Sequence, residues 1–170
     1  MTKSIFFKDN HFVKIENLIS KETASLLYKH VKNNALRCLF LEETQKSYDK
    51  NIYGMYEDGQ CKNAFALYGD SIFDDLLEHI KYKVEESTGY KLIPTYTYHR
   101  LYLTGSELER HKDRMSCDIS GTLYLGSDID NLENKKYSWP MYVGSKDGAE
   151  GTEGISVDLN PGDAIICDMY

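Results

Sequence analysis

His111 and Asp113 stand one residue apart, an imidazole and a carboxylate of the kinds that ligate a divalent metal. They are two of the three donors of the 2-His-1-carboxylate facial triad, which holds non-haem Fe(II) and keeps coordination positions open. The spacing alone is weak, because 5 His and 14 Asp in 170 residues yield about 0.4 such pairs by chance. Context strengthens it. The pair follows a tyrosine-rich extended segment and a Thr104-Gly105-Ser106 turn, and it precedes the apolar run 119–125. Alternate side chains of an extended stretch point the same way, so both donors can reach one ion. A structural zinc site would want four ligands, usually including sulfur.

The segment before the pair offers a second set of groups. With a period of two, Tyr96, Tyr98, Arg100 and Tyr102 share one face and Thr95, Thr97, His99 and Leu101 the other. A phenol and a guanidinium in an apolar interior suit a dicarboxylate co-substrate, since a buried carboxylate requires charge-assisted hydrogen bonds. The alternative is that tyrosines, of which the chain has 14, simply pack there. Arg114 either binds a substrate carboxylate or pairs with Asp118, and Trp139 is either a core residue, the favoured reading, or a substrate platform. No phosphate-loop ending and no Gly-x-Ser-x-Gly elbow is present, so nucleotide-binding and hydrolase readings lack support.

Two helices and a set of strands must position these residues. Leu18, Ile19, Ala24, Leu26, Leu27 and Val31 recur at helical spacing over 17–34, with Ser20 as N-cap. Ile72, Phe73, Leu76, Leu77, Ile80 and Val84 predict a second helix over 71–87, opened by Asp70 and closed by Gly89. Residues 37–69 carry no clear period. Beyond Gly89 the pattern is β only: a strand over 92–103, then short apolar runs at 119–125, 140–143, 155–159 and 164–167. The clusters 126–134, 144–154 and Asn160-Pro161-Gly162-Asp163 separate them, and 144–154 reads as a solvated hairpin loop rather than a lid. The expected architecture is α+β, mainly β, in a single domain: a helical part over 1–90 and a jelly roll over 91–170 supported by the helices.

Composition narrows the function. A formal charge of −7 without a Lys/Arg run argues against nucleic acid as partner and against a nucleic-acid demethylase. No apolar leader stands at the N-terminus and no stretch approaches about 18 apolar residues, so the reading is soluble and cytoplasmic, with no membrane partner. Cys38, Cys61, Cys117 and Cys167 form no C-x-x-C pair and read as reduced, buried thiols.

The run from Arg100-Leu-Tyr102 through Gly105 to His111-Lys-Asp113-Arg114, followed by 119–125 and Asn160-Pro-Gly-Asp163, resembles the Fe(II)/2-oxoglutarate dioxygenases of the prolyl 4-hydroxylase type, in the short form of marine bacteria and viruses. The resemblance is strongest from about Gln60 to Tyr170. It implies a double-stranded β-helix, Fe(II) and 2-oxoglutarate as cofactors with ascorbate as an accessory, and a protein, peptide or amino-acid substrate such as peptidyl proline. It gives His111 and Asp113 the metal and Tyr102, nine residues before His111, the far carboxylate of 2-oxoglutarate, with Arg100 beside it. Arg114 and Trp139 are the substrate-side candidates from the residues themselves, not from the resemblance.

The sequence departs from the family in one respect. Relatives carry a second iron-binding His soon after the Pro-Gly-Asp turn and then a basic anchor for the co-substrate, whereas seven residues follow Asp163 here. His11, His30 and His79 lie in the helical half, and His99 should point away from Tyr102, so none replaces it. The reading expects a fragment, inactive by itself, whose natural chain continues to that histidine. The competing expectation is a non-catalytic jelly-roll binding module.

Overall fold

A computed structural model describes residues 2–114, 116–131, 139–144 and 154–168. Helix α1 (Lys3–Asn10) leads into strand β1 (Phe12–Ile15), and α2 (Lys21–Thr44) and α3 (Lys50–Tyr53) precede β2 (Met55–Tyr56) and β3 (Cys61–Tyr68). Helix α4 (Ser71–Thr88) follows, then β4 (Tyr98–Leu108), β5 (Ile119–Leu123), β6 (Met141–Val143), β7 (Ile155–Val157) and β8 (Ala164–Asp168). All strand pairs are antiparallel, in sheets ordered β1-β8-β5, β2-β3-β4 and β6-β7. The N-terminal half is therefore not purely helical. It supplies β1, β2 and β3, which pair with each other or with strands from the C-terminal half. The expected loop over 144–154 lies, apart from its two ends, outside the described residues.

The chain divides into two compact units: residues 1–26, 82–92 and 113–170, and residues 27–81 and 93–112. In the first, β8 is the central strand and Ala164, Ile165 and Ile166 are buried. Asp163, 2% exposed, ties this unit together. Its carboxylate accepts the backbone N–H of Asn17 at 2.9 Å and of Asn160 at 3.0 Å, and Lys14 Nζ lies 3.2 Å away. Burial alone would raise its pKa, but those donors hold it below the ordinary carboxylate value. The turn before it must be glycine, because Gly162 has φ +95 and a Cβ there would sit 2.5 Å from the Ile19 carbonyl oxygen.

In the second unit, β3 is the central strand, and one face of the sheet packs on α2. Phe65 and Leu67 meet Ala35 and Cys38, with Leu101, Tyr48 and Tyr56 around them. Helix α2 runs ten residues past the expected end at Asn34, because the buried stripe Ala24, Leu27, Val31, Ala35, Cys38 and Leu41 keeps its period through the Asn33-Asn34 pair. Ser20 caps it as expected, accepting the Thr23 N–H at 3.1 Å. Helix α4 begins on Asp70, whose Oδ1 accepts the Ile72 N–H at 3.2 Å, and stops at Gly89, with φ +78.

Replacing Asp163 by Ala should leave the N–H groups of Asn17 and Asn160 without their buried acceptor and lower stability by about 3 kcal/mol. A urea unfolding midpoint unchanged from wild type would contradict this role. Because folding lowers its pKa, Asp163 also adds stability that is present above the ordinary carboxylate pKa and is lost as pH falls through the lowered one.

Candidate functional site

Strand β4 positions the candidate groups. It starts six residues later than expected and extends to Leu108, through the Thr104-Gly105-Ser106 segment that reads as a turn. The turn signal marks a bulge. Leu103 to Ser106 face the single residue Asn63 across the ladder, and Gly105 takes φ +85 to make the fold-out. Ser106 Oγ closes it, accepting the Leu103 N–H at 2.8 Å and donating to the Asn63 carbonyl.

The expected alternation holds. Leu101 turns to the core shared with α2, and His99 stacks on Phe73 of α4 and Phe65 of β3, with ring centroids 4.9 and 5.9 Å apart. Tyr98, Arg100 and Tyr102 lie on the other face, opposite Tyr68, Ala66 and Ala64 of β3. The two buried alanines leave room for the long side chains above them.

Arg100 is not an open cation. Its Nε lies 3.1 Å from Asp58 Oδ2, its Nη2 also bonds that oxygen, and Nη2 reaches Gln60 Oε1 at 3.1 Å. The Tyr98 hydroxyl donates to Asp58 as well, while Asp58 Oδ1 accepts the N–H groups of Gln60 and Cys61 at 3.0 and 2.9 Å. Both charged side chains are buried, 9% and 5% exposed. Burial would raise the Asp58 pKa, yet the phenol, the guanidinium and the two amides bring it to about 2. Arg100 Nη1 approaches the Tyr102 hydroxyl at 3.5 Å, and its guanidinium carbon lies 5.1 and 5.8 Å from the ring centres of Tyr98 and Tyr102. Sequence reasoning missed Asp58. Its only signal was Asp58-Gly59, a turn pair within a region of no clear period.

The two metal-ligand candidates sit between β4 and β5, outside helix and strand, and both are exposed. His111 Nδ1 lies 2.9 Å from the Glu109 carbonyl oxygen. A carbonyl only accepts, so Nδ1 carries the proton, and in the neutral ring Nε2 holds the lone pair a metal needs. Asp113 comes near β8. Burial first, then the carboxylates of Asp168 and Asp113, push the Cys167 thiol up to about 11. His11 reaches the same strand through the β1–β8 pairing, but its Nδ1 is held by Asp168 at 2.8 Å. The donors His111 and Asp113 fit a divalent metal in type. Among the described residues no group of three His, Cys, Asp or Glu could hold one.

Arg114 is exposed, and its carbonyl accepts the Cys117 N–H at 2.9 Å. Trp139 is 62% exposed, which removes the core reading favoured for it. The four cysteines carry no disulfide; three are buried and Cys167 is half-buried. No helix among the described residues is long and apolar enough to cross a membrane.

No protein-family model and no curated protein matches the sequence. A solved structure does resemble the fold: a crystal structure of a Pseudomonas putida prolyl-4-hydroxylase, with a TM-score of 0.60 over 98% of this chain and 84% of that one, at 11% sequence identity. This chain has a prolyl-4-hydroxylase-like fold. At that identity the likeness is one of fold, and chemistry has to be argued from the residues.

His99 points away from Tyr102, as its position in the strand requires. It is 7% exposed, and neither ring nitrogen has a hydrogen-bond partner among the described residues. Nδ1 stands 3.8 Å from Asp70 Oδ2, which His30 Nε2 and Asn34 Nδ2 already engage at 2.7 and 2.9 Å. Burial outweighs the attraction of Asp70 and lowers the His99 pKa to about 4, with His30 adding in the same direction. The unfolded chain takes up a proton near pH 6.5 and the folded one does not. Stability is therefore intact above about pH 6.5 and declines as pH falls towards 4, by at most about 3 kcal/mol from this ring. His99→Leu should flatten the profile in that window; an unchanged slope would show that His99 protonates in place.

Proposed function

We propose that this chain is a non-haem iron oxygenase that couples 2-oxoglutarate decarboxylation to hydroxylation of an amino-acid side chain, with peptidyl proline the first substrate to test. The observation that carries the reading is His111, whose Nδ1 is tied to a backbone carbonyl so that Nε2 would be the ligating nitrogen, in a chain with a prolyl-4-hydroxylase-like fold. His111 and Asp113 would hold the iron. Bound there, Fe(II) would supply the oxidising chemistry. Tyr102 would donate to the far carboxylate of 2-oxoglutarate, and Arg114 and Trp139, both exposed, would meet the substrate. The antiparallel sheets would belong to one double-stranded β-helix, in a single cytoplasmic dioxygenase domain assisted by ascorbate.

The residues' own work in this reading is binding and orientation. The Glu109 carbonyl fixes the ring of His111, and β4 sets Tyr102 and Arg100 on one face. Asp58 neutralises the Arg100 charge, so Tyr102 rather than a bare cation meets the incoming carboxylate. That neutralisation also gives the second reading its support. A jelly-roll binding module without catalysis would use Arg100 as the structure holds it, in an internal ion pair with Asp58.

Mn(II) titration of the protein distinguishes the two readings. The oxygenase reading expects binding that His111→Ala weakens at least 100-fold by removing a ligand, together with Fe(II)-dependent conversion of 2-oxoglutarate to succinate. If neither Mn(II) nor Fe(II) binds and no succinate forms, the binding-module reading replaces it.

A further inference from the structure

The Asp58 carboxylate gathers hydrogen bonds from two backbone amides, a phenol and a guanidinium. Oδ1 is bound to the β2–β3 turn through the N–H groups of Gln60 and Cys61, and Oδ2 takes the Tyr98 hydroxyl and two nitrogens of Arg100. The guanidinium is planar, so fixing Nε and Nη2 fixes the direction of Nη1. Nη1 is the atom that faces the Tyr102 hydroxyl, at 3.5 Å, a long contact of the kind that ligand binding tightens. An arginine N–H cannot accept. The Tyr102 oxygen must therefore accept from Arg100, and its own proton is directed elsewhere, with its donor strength raised by the neighbouring cation.

We propose that Asp58 is a positioning residue: by clamping Arg100 it commits the Tyr102 hydroxyl to donating a hydrogen bond to the far carboxylate of the co-substrate. The proposal rests on the oxygenase reading, in which Tyr102 meets that carboxylate. It makes a prediction opposite in sign to simple electrostatics. Asp58→Asn removes a negative charge beside Arg100, so a carboxylate should bind more tightly if charge alone matters. If Asp58 acts through geometry, the released guanidinium abandons Tyr102 and binding weakens.

The test is calorimetric titration of 2-oxoglutarate into the Mn(II)-loaded gene product, with 2-oxobutyrate, which lacks the far carboxylate, as the control ligand. Tyr102→Phe should weaken 2-oxoglutarate binding by about 10- to 100-fold. Asp58→Asn should weaken it by about 5- to 10-fold while leaving Mn(II) and 2-oxobutyrate affinities unchanged, and it should add nothing in the Tyr102→Phe background. Tyr98→Phe, which removes one donor to Asp58 and no charge, should weaken binding about threefold and serves if Asp58→Asn does not fold. Tighter or unchanged 2-oxoglutarate binding in Asp58→Asn, or in Tyr98→Phe where that variant stands in, overturns the proposal and leaves the role of Tyr102 standing. Unchanged binding in Tyr102→Phe, or no binding by wild type, overturns the reading of Tyr102 and the proposal with it.

Discussion

The register of β3 against β4 is the constraint on which the described site depends. Ala64 to Tyr68 pair with Tyr102 to Tyr98 residue by residue, and side chains of a strand alternate between faces. A slip of one residue would send Arg100 and Tyr102 into the apolar layer of Phe65, Leu67 and Cys38, and bring His99 and Leu101 out. Burying an unpaired guanidinium costs far more than any gain from repacking. The bulge opposite Asn63 then lets β4 continue to Leu108 in a second register, where Lys62 faces Glu107 and Cys61 faces Leu108. The segment that carries His111 starts from there.

Buried carboxylates organise much of the rest. Asp58, Asp70 and Asp163 each take at least one backbone amide and at least one basic side chain, and each has its pKa lowered although burial alone would raise it. Each also joins segments distant in sequence: the β2–β3 turn to β4, the start of α4 to α2, and the turn before β8 to the segment around Lys14 and Asn17. Part of the acidic excess is thus internal framework rather than a solvated surface. Removing one partner from such a set leaves the other buried and uncompensated, which is the costly direction of change.

Arg100 illustrates how fold and chemistry separate. A guanidinium and a phenol on one strand face suggested a pair of anion-binding groups. The guanidinium is instead neutralised by Asp58, and its Nη1 lies 3.5 Å from the Tyr102 hydroxyl. The likeness to a prolyl-4-hydroxylase is one of fold, so any chemistry has to be argued from such local arrangements.

The sequence by itself determined the elements with a clean period or a local cap: α4 between Asp70 and Gly89, the Ser20 cap of α2, the short strands β5 to β8, and the alternation that parts His99 from Tyr102. These depend on residues close in the chain. It did not determine β1 or β3, which were read as a helical half and as featureless. Strand β3 is buried on both faces, through Ala64 and Ala66 on one and Phe65 and Leu67 on the other, so it shows no alternation. Nor did it determine where α2 ends: the expected helix stops at Asn34, whose side chain bonds Asp70 in the middle of the longer helix. Only tertiary structure decided that Gly105 makes a bulge rather than a turn, because that depends on Asn63 across the ladder. Asp58 was invisible for the same reason: its partners Tyr98 and Arg100 lie some forty residues away, and only strand pairing brings them within hydrogen-bonding distance.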